Sequence, residues 1–183
     1  MRLTPLFAAL LALCSMAANA QSAPPTDDLT TFLHDKGLLA RLGEASTHVT
    51  NQASDLVVGA MGFLGVPYRR GGSSADTGFD CSGFVKSIYQ QTVGLVLPRS
   101  AAQQAAATQA IDRTELLPGD LVFFNTMRHA FSHVGIYVGN GKFIHSPKPG
   151  AEVRVEDMAG AYWAKRFDGA RRVSAEVVVT PVR

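Results

Sequence analysis

The apolar residues of this chain change their spacing partway along, and that change limits the folds open to it. Up to about residue 107 they recur at helical intervals; from Leu121 onward they alternate or run together as in strands. Ser54 is placed to cap a helix with Leu56, Val57, Ala60, Met61 and Leu64 on one face, closed by Gly65-Val66-Pro67. The Gly- and Ser-rich stretch from Arg69 to Gly78 reads as a loop. Asp80 is a natural N-cap for a helix from about Cys81 to Thr92, with Gly94 as its stop. Pro98-Arg99-Ser100 opens a further helix to about Ala107. Leu116 to Asp120 reads as a turn into a strand over Leu121–Asn125, followed by strands over 132–138, 142–146, 152–155 and about 168–179. Helices first and strands second predict an α+β fold with a mainly antiparallel sheet.

Residues 1–20 read as a secretory signal. Arg2 is followed by an apolar stretch from Leu6 to Ala18, and Ala18-Asn19-Ala20 fits a small-x-small cleavage site. The apolar stretch falls short of the roughly 20 residues that a spanning helix needs, so no membrane span is expected after cleavage. Lipidation at Cys14 is disfavoured by the bulky Leu13 before it. Residues 21–51 read as a linker and an amphipathic helix carrying Leu29, Phe32, Leu33, Leu38, Leu39 and Leu42. Residues 52–183 form the expected domain. The formal charge of +2 shows no basic excess, which argues against nucleic-acid binding, and Arg69-Arg70 and Arg171-Arg172 read as solvated faces. Nothing demands more than a monomer.

Loss of residues 1–20 leaves Cys81 as the sole cysteine of the two in the chain. A lone thiol in an exported protein is buried and inert, paired with another chain, or used in chemistry. Cys81 would open a helix, where free N–H groups and the helix dipole favour a thiolate, so its pKa is expected below the ordinary value of about 8.5. Gly78 and Gly83 are expected to leave room for a substrate backbone beside the sulfur.

His133 and His145 are the candidate bases. In Ser132–Val138 the side chains alternate: Val134, Ile136 and Val138 face one way, and His133, Gly135 and Tyr137 the other. Gly139-Asn140-Gly141 signals a hairpin. A two-residue loop, Asn140-Gly141, would pair Ile136 with His145 and put the histidines on opposite faces. A three-residue loop with a type I turn and a bulge at Gly141 pairs Gly135 with His145 and puts both histidines on one face. The second register also keeps Ile144 with the apolar face, and is the one expected. Gly135 would then give the His145 ring space across the ladder. In that geometry His133 takes the proton of Cys81 and His145 orients His133, the task of the third member of a catalytic triad. A Cys-His-His zinc site is the metal alternative, but the short paired spacing of structural zinc sites is missing, so neither metal nor cofactor is expected. His34, His48 and His129 need no role.

The motifs together resemble a known family, the NlpC-type bacterial cell-wall cysteine peptidases, over about residues 52–175. The pieces are Gly65-Val66-Pro67-Tyr68 with Gly71-Gly72, Phe79-Asp80-Cys81-Ser82-Gly83-Phe84, and Leu97-Pro98-Arg99-Ser100 with Gln104. Then follow Pro118-Gly119-Asp120-Leu121, His133-Val134-Gly135-Ile136-Tyr137 and Ile144-His145. The resemblance implies a minimal papain-like fold, with Cys81 as nucleophile, His133 as base and His145 as orienting residue. It implies that the Tyr68 hydroxyl lies near the thiol and helps bind the substrate or its oxyanion, and that Asp80 and Ser82 help hold the substrate peptide. Arg99 meets a substrate carboxylate or serves as an ion-pair partner.

What the resemblance implies for function is a periplasmic or wall-secreted cysteine endopeptidase acting on peptidoglycan stem peptides. The bond is either the D,D cross-link or that between D-glutamate and diaminopimelate; the lack of a recognisable wall-binding module before the domain leans toward the cross-link. The competing classes are a catalytically inactive wall-binding protein and an amidase or acyltransferase on the same fold. Residues 126–132 are expected to form one wall of the cleft.

Overall fold

A computed structural model describes residues 51–174 of the chain. The expected signal at 1–20, the amphipathic helix at 21–51 up to its last residue, and the strand beyond 174 lie outside the described residues. The first described element, α1, is helical over 51–61, so Ser54 sits inside this helix and not at its cap. Leu56 and Ala60 are its buried positions, while Met61 and Leu64 are largely exposed, so the buried stripe is narrower than expected.

The segment after α1 doubles back as a two-stranded ribbon, β1 (Ser73–Ser74) and β2 (Gly78–Phe79). Helix α2 (Cys81–Val93) follows at once. Its ends follow from two residues: Asp80 accepts a 2.7 Å hydrogen bond from the Gly83 N–H, and Gly94 closes the helix at φ 72°. Helix α3 (Ala101–Ala106) starts in a capping box formed by Ser100 and Gln103. The remaining strands are β3 (Gln109–Ile111), β4 (Leu121–Phe124), β5 (His133–Gly139), β6 (Lys142–His145), β7 (Arg154–Asp157) and β8 (Phe167–Arg172), with the short helix α4 (Ala161–Ala164) before β8. Neither β3 nor α4 was expected; three or four residues are too few to show a period.

The last six strands form one antiparallel sheet in the order β3-β8-β4-β5-β6-β7. The fold is α+β. One face of the sheet carries Leu121, Phe123, Val134, Ile136 and Ile144, which pack with Phe84, Val85 and Ile88 of α2 and with Leu56 and Ala60 of α1. The other face carries Val122, Phe124 and Phe143, and Trp163 from α4 covers it. Both faces are therefore buried, which explains the near-continuous apolar run of β4.

The β5–β6 hairpin reaches the expected register by a different device. Ile136 pairs with Ile144 and Tyr137 with Phe143, as expected, but Gly139 pairs with Lys142 across a register shift. The turn is the two-residue one, Asn140-Gly141, with φ of 53° and 71°, both left-handed. The extra residue sits on β5 between Tyr137 and Gly139, as a bulge, and not at Gly141. The bulge restores the slip that a two-residue turn alone would impose. Hence both histidines still share a face.

Arg171-Arg172 is not a solvated face. Arg172 forms an ion pair with the buried Asp120 at 2.7 Å, and the Arg171 guanidinium lies 5.0 Å from the centre of the Phe131 ring. Arg69 and Arg70 are exposed, as expected.

Candidate active site

Cys81 is the first residue of α2, and α2 lies on the sheet face of Val134 and Ile136, against β5. The half-buried thiol lines a cleft of about 470 Å³ together with Tyr68, His133, Arg154, Glu156 and Trp163. Thr126, Met127 and Ser132 line it too, so the 126–132 loop forms a wall as expected. Ser132 holds that loop: its hydroxyl accepts from the N–H groups of Thr126 and Met127 at 2.8 and 3.1 Å.

His133 and His145 are both buried, 3% and 0% exposed, which sets them apart from histidines on a solvent face. Their rings touch edge to face, with His133 Nε2 2.6 Å from His145 Nδ1. Gly135 lies between them. A Cβ there would come within 2.7 Å of the Phe143 ring, 2.8 Å of the Ile144 carbonyl and 3.1 Å of the His145 Cβ, so the close approach of the strands requires glycine. Phe124, Phe143 and Trp163 surround the imidazoles, and Trp163 stacks on His133.

Three residues of the site were not read from the sequence. Strand β7 sets Arg154 opposite His145 and Glu156 opposite Phe143, so both side chains join the histidine face. Glu156 Oε2 lies 2.8 Å from His145 Nε2 and accepts a 2.9 Å hydrogen bond from the Trp163 indole N–H. Arg154 donates to Glu156 Oε1 through its Nε at 3.1 Å and pairs with it through a terminal nitrogen at 2.8 Å. The signal was the alternation Val153-Arg154-Val155-Glu156, polar on one face. What hid it was register: residues 146–153 connect β6 to β7 irregularly, and no pattern says which residue of β7 meets His145.

The electrostatics follow from burial. Burial holds His133 well below the ordinary 6.5, helped by the neighbouring His145, with Glu156 pulling the other way. Burial also lowers His145, against the hydrogen bond and charge of Glu156. Glu156 is pushed down to about 2, chiefly by its hydrogen bond to His145. The Cys81 thiol departs from expectation. It is raised, first by burial and then by the Asp80 carboxylate, and the backbone N–H groups of Val134, Ser82 and Cys81 itself only oppose that shift. The helix N-terminus is present, but here desolvation outweighs it.

Asp80, Ser82 and Arg99 form a cluster beside the cleft. Arg99 pairs with Asp80 at 2.6 Å and donates to the Ser82 hydroxyl at 3.0 Å. The Asp80 carboxylate also takes N–H bonds from Gly71 and Gly83. Of the two expectations for Arg99, the geometry supplies the ion pair. The glycines flanking Cys81 do not make room for a substrate, since a Cβ at Gly83 would lie 2.1 Å from the Gly72 carbonyl oxygen and one at Gly78 2.6 Å from that of Pro67. Gly83 lets the loop before β1 lie against α2, and Gly78 lets Pro67 and Arg69 lie against β2. Tyr68 stands beside the thiol: burial raises its hydroxyl pKa first, and the Cys81 and Asp80 charges raise it further. His129 is exposed.

The NlpC/P60 family pattern matches residues 65–172. Murein DD-endopeptidase MepH of Escherichia coli is 50% identical over 113 residues, which are 60% of this chain and 42% of that one. The Escherichia coli protein named murein DD-endopeptidase MepS/murein LD-carboxypeptidase is 34% identical over 174 residues, 91% of this chain and 87% of that one. This chain thus spans less than half of MepH but most of MepS. The solved NlpC/p60 domain of the peptidoglycan hydrolase SagA superposes with a TM-score of 0.59 at 32% identity, covering 66% of this chain and 98% of the domain. The chain belongs to the NlpC/P60 family.

Proposed function

We propose that this protein is an exported cysteine endopeptidase that hydrolyses peptidoglycan peptides, the D,D cross-link between stems first among them. The observation that carries this reading is the meeting of Cys81, Tyr68 and His133 in one cleft, with His133 hydrogen-bonded to a second buried histidine. The names of MepH and MepS support the cross-link as the bond. The apolar, small-residue pattern of residues 1–20 supports export, and among the described residues no helix is long and apolar enough to cross a membrane. The periplasm and a monomeric state are part of the same reading.

The chemistry is acyl transfer to sulfur. As the Cys81 sulfur attacks the scissile carbonyl carbon, its proton passes to the nitrogen of His133 that does not face His145. The Cys81 N–H and the Tyr68 hydroxyl, in the same cleft, supply the donors for the oxygen on which charge develops. Protonated His133 then delivers the proton to the leaving amine, and the C–N bond breaks to leave a thioester. Water, deprotonated by His133, attacks the thioester, releases the carboxylate and returns the proton to sulfur. Burial, which raises the thiol and lowers His133, favours a neutral pair, with the proton moving during attack. Asp80, Ser82 and Arg99 bond to one another and fix the loop at the head of α2, and so hold Cys81 in place.

Defined muropeptides test the bond. With a cross-linked dimer, two intact monomers are expected; stems cut after D-glutamate would place the protein with the D,L type. No product, with protein still pelleting with the wall, would favour the wall-binding reading.

A further inference from the structure

We propose that Glu156 is a positioning residue that sets the tautomers of both histidines, extending the machinery to a four-member chain of Cys81, His133, His145 and Glu156. The inference rests on the peptidase reading for its consequence but not for its test. A bond between two imidazole nitrogens needs one N–H and one lone pair, so two neutral arrangements fit the 2.6 Å contact between His133 Nε2 and His145 Nδ1. In the first, His133 carries its proton on Nε2 and His145 on its own Nε2. His133 Nδ1 is then a lone pair, able to accept a proton from Cys81. In the second, His145 carries its proton on Nδ1 and His133 on Nδ1, so His133 has no lone pair for the thiol.

Glu156 separates the two. A carboxylate only accepts, and Oε2 lies 2.8 Å from His145 Nε2. In the first arrangement that nitrogen donates to it; in the second, lone pair faces lone pair. The carboxylate cannot turn away. The Trp163 N–H donates to Oε2 at 2.9 Å and Arg154 donates to Oε1 at 3.1 Å. Each oxygen thus faces donors, which keeps Glu156 ionised and in place. The consequence runs 11 residues back along the chain from Glu156 to His145, and another 12 to His133.

The chain also adds what a neutral His145 lacks. When His133 takes the Cys81 proton, the imidazolium faces the Glu156 charge through a single ring. Among the described residues, the other charged or titratable groups around these four are Asp80 at the N-cap of α2, Tyr68, Tyr162 on α4, and Lys148 and Arg154 across the cleft. Arg154 spends its charge on Glu156, so replacing Glu156 leaves a cation beside the histidines.

The tautomers are read on the unmodified protein by 15N NMR of the imidazoles. The expected result is a lone pair on Nδ1 of both His133 and His145 and a proton on Nε2 of both. A proton on Nδ1 of His133 would overturn the proposal. The second readout is the rate of Cys81 alkylation by iodoacetamide against pH, which needs no peptidoglycan. In Glu156→Gln the amide meets a donor at either oxygen position, and the rate on the neutral plateau is expected to fall about 100-fold, the lower end of what a positioned base contributes. Its acid limb is expected to move to lower pH, because a negative charge that favours protonated His133 is gone. Glu156→Asp, which keeps the charge, is expected to hold the acid limb where the wild type has it. A plateau and limb unchanged in Glu156→Gln, or a fallen plateau with an unmoved limb, would contradict the role. If the wild type alkylates with this profile yet cuts no muropeptide, the peptidase reading fails and the tautomer assignment stands.

Discussion

At the scale of single residues, the site depends on which of two opposed effects wins at each group. The helix N-terminus favours a Cys81 thiolate, and burial with the Asp80 charge disfavours it more. The same burial keeps His133 neutral to lower pH than a free imidazole. Since the base works only when neutral, and its folded pKa lies below 6.5, the acid limb of kcat/KM is expected below pH 6.5; a limb at or above that value would show that burial does not control the ring. Asp80→Ala is expected to cost about 1 kcal/mol in urea unfolding through the lost cap alone, and more if Arg99 is left without its partner. Sequence located Cys81, both histidines and Tyr68, because each sits in a motif or an alternating strand. It could not weigh burial against the helix dipole, since the burial of Cys81 depends on the core cluster shared by helices and sheet, and that of the histidines on Phe124, Phe143 and Trp163 from three separate elements.

Among the elements, the β5–β6 hairpin decides whether two histidines can cooperate. The alternation of β5 and the apolar Ile144 were enough to read the register; the device that produces it was not, because a bulge on β5 and a bulge in the turn leave the same faces in the same places. Gly135 is the point of closest approach. Gly135→Ala is expected to destabilise the fold by about 1–3 kcal/mol, as overpacking does, and to lower kcat by displacing His145. Unfolding in urea and steady-state kinetics check the two effects; a variant of wild-type stability would mean that β6 can shift freely. Strand β7 was readable as a strand, but its partner residues were not, and so Arg154 and Glu156 stayed hidden until the ladder placed them opposite His145 and Phe143 respectively.

For the molecule as a whole, the site and the stability are linked through protons. His133 and His145 have folded pKa values below the ordinary 6.5, and Glu156 is held at about 2 against an ordinary 4.5. In each case the unfolded chain takes up the proton first as pH falls, so the unfolded state gains. Stability is therefore expected to be flat between about pH 7 and about pH 8, to fall below 6.5 through the histidines and again below 4.5 through Glu156, and to fall above about pH 9, where the unfolded chain loses the Cys81 proton that the folded thiol keeps. Urea midpoints across this range check the sign, and equal midpoints at pH 7.5 and pH 5 would contradict it. The α+β class was legible because helical spacing gives way to strand alternation once along the chain, and the antiparallel sheet followed from the short hairpin connections. Its strand order was not, since β8 inserts between β3 and β4 at the far side of the sheet from β7.

The role proposed for Cys81 is the cutting of peptidoglycan peptides. Its most direct test is digestion of purified peptidoglycan by the wild type beside Cys81→Ala, with products identified by mass spectrometry. Cross-linked dimers are expected to disappear into intact monomers with the wild type and to persist with Cys81→Ala. Equal digestion by both proteins, or none by either, would contradict it.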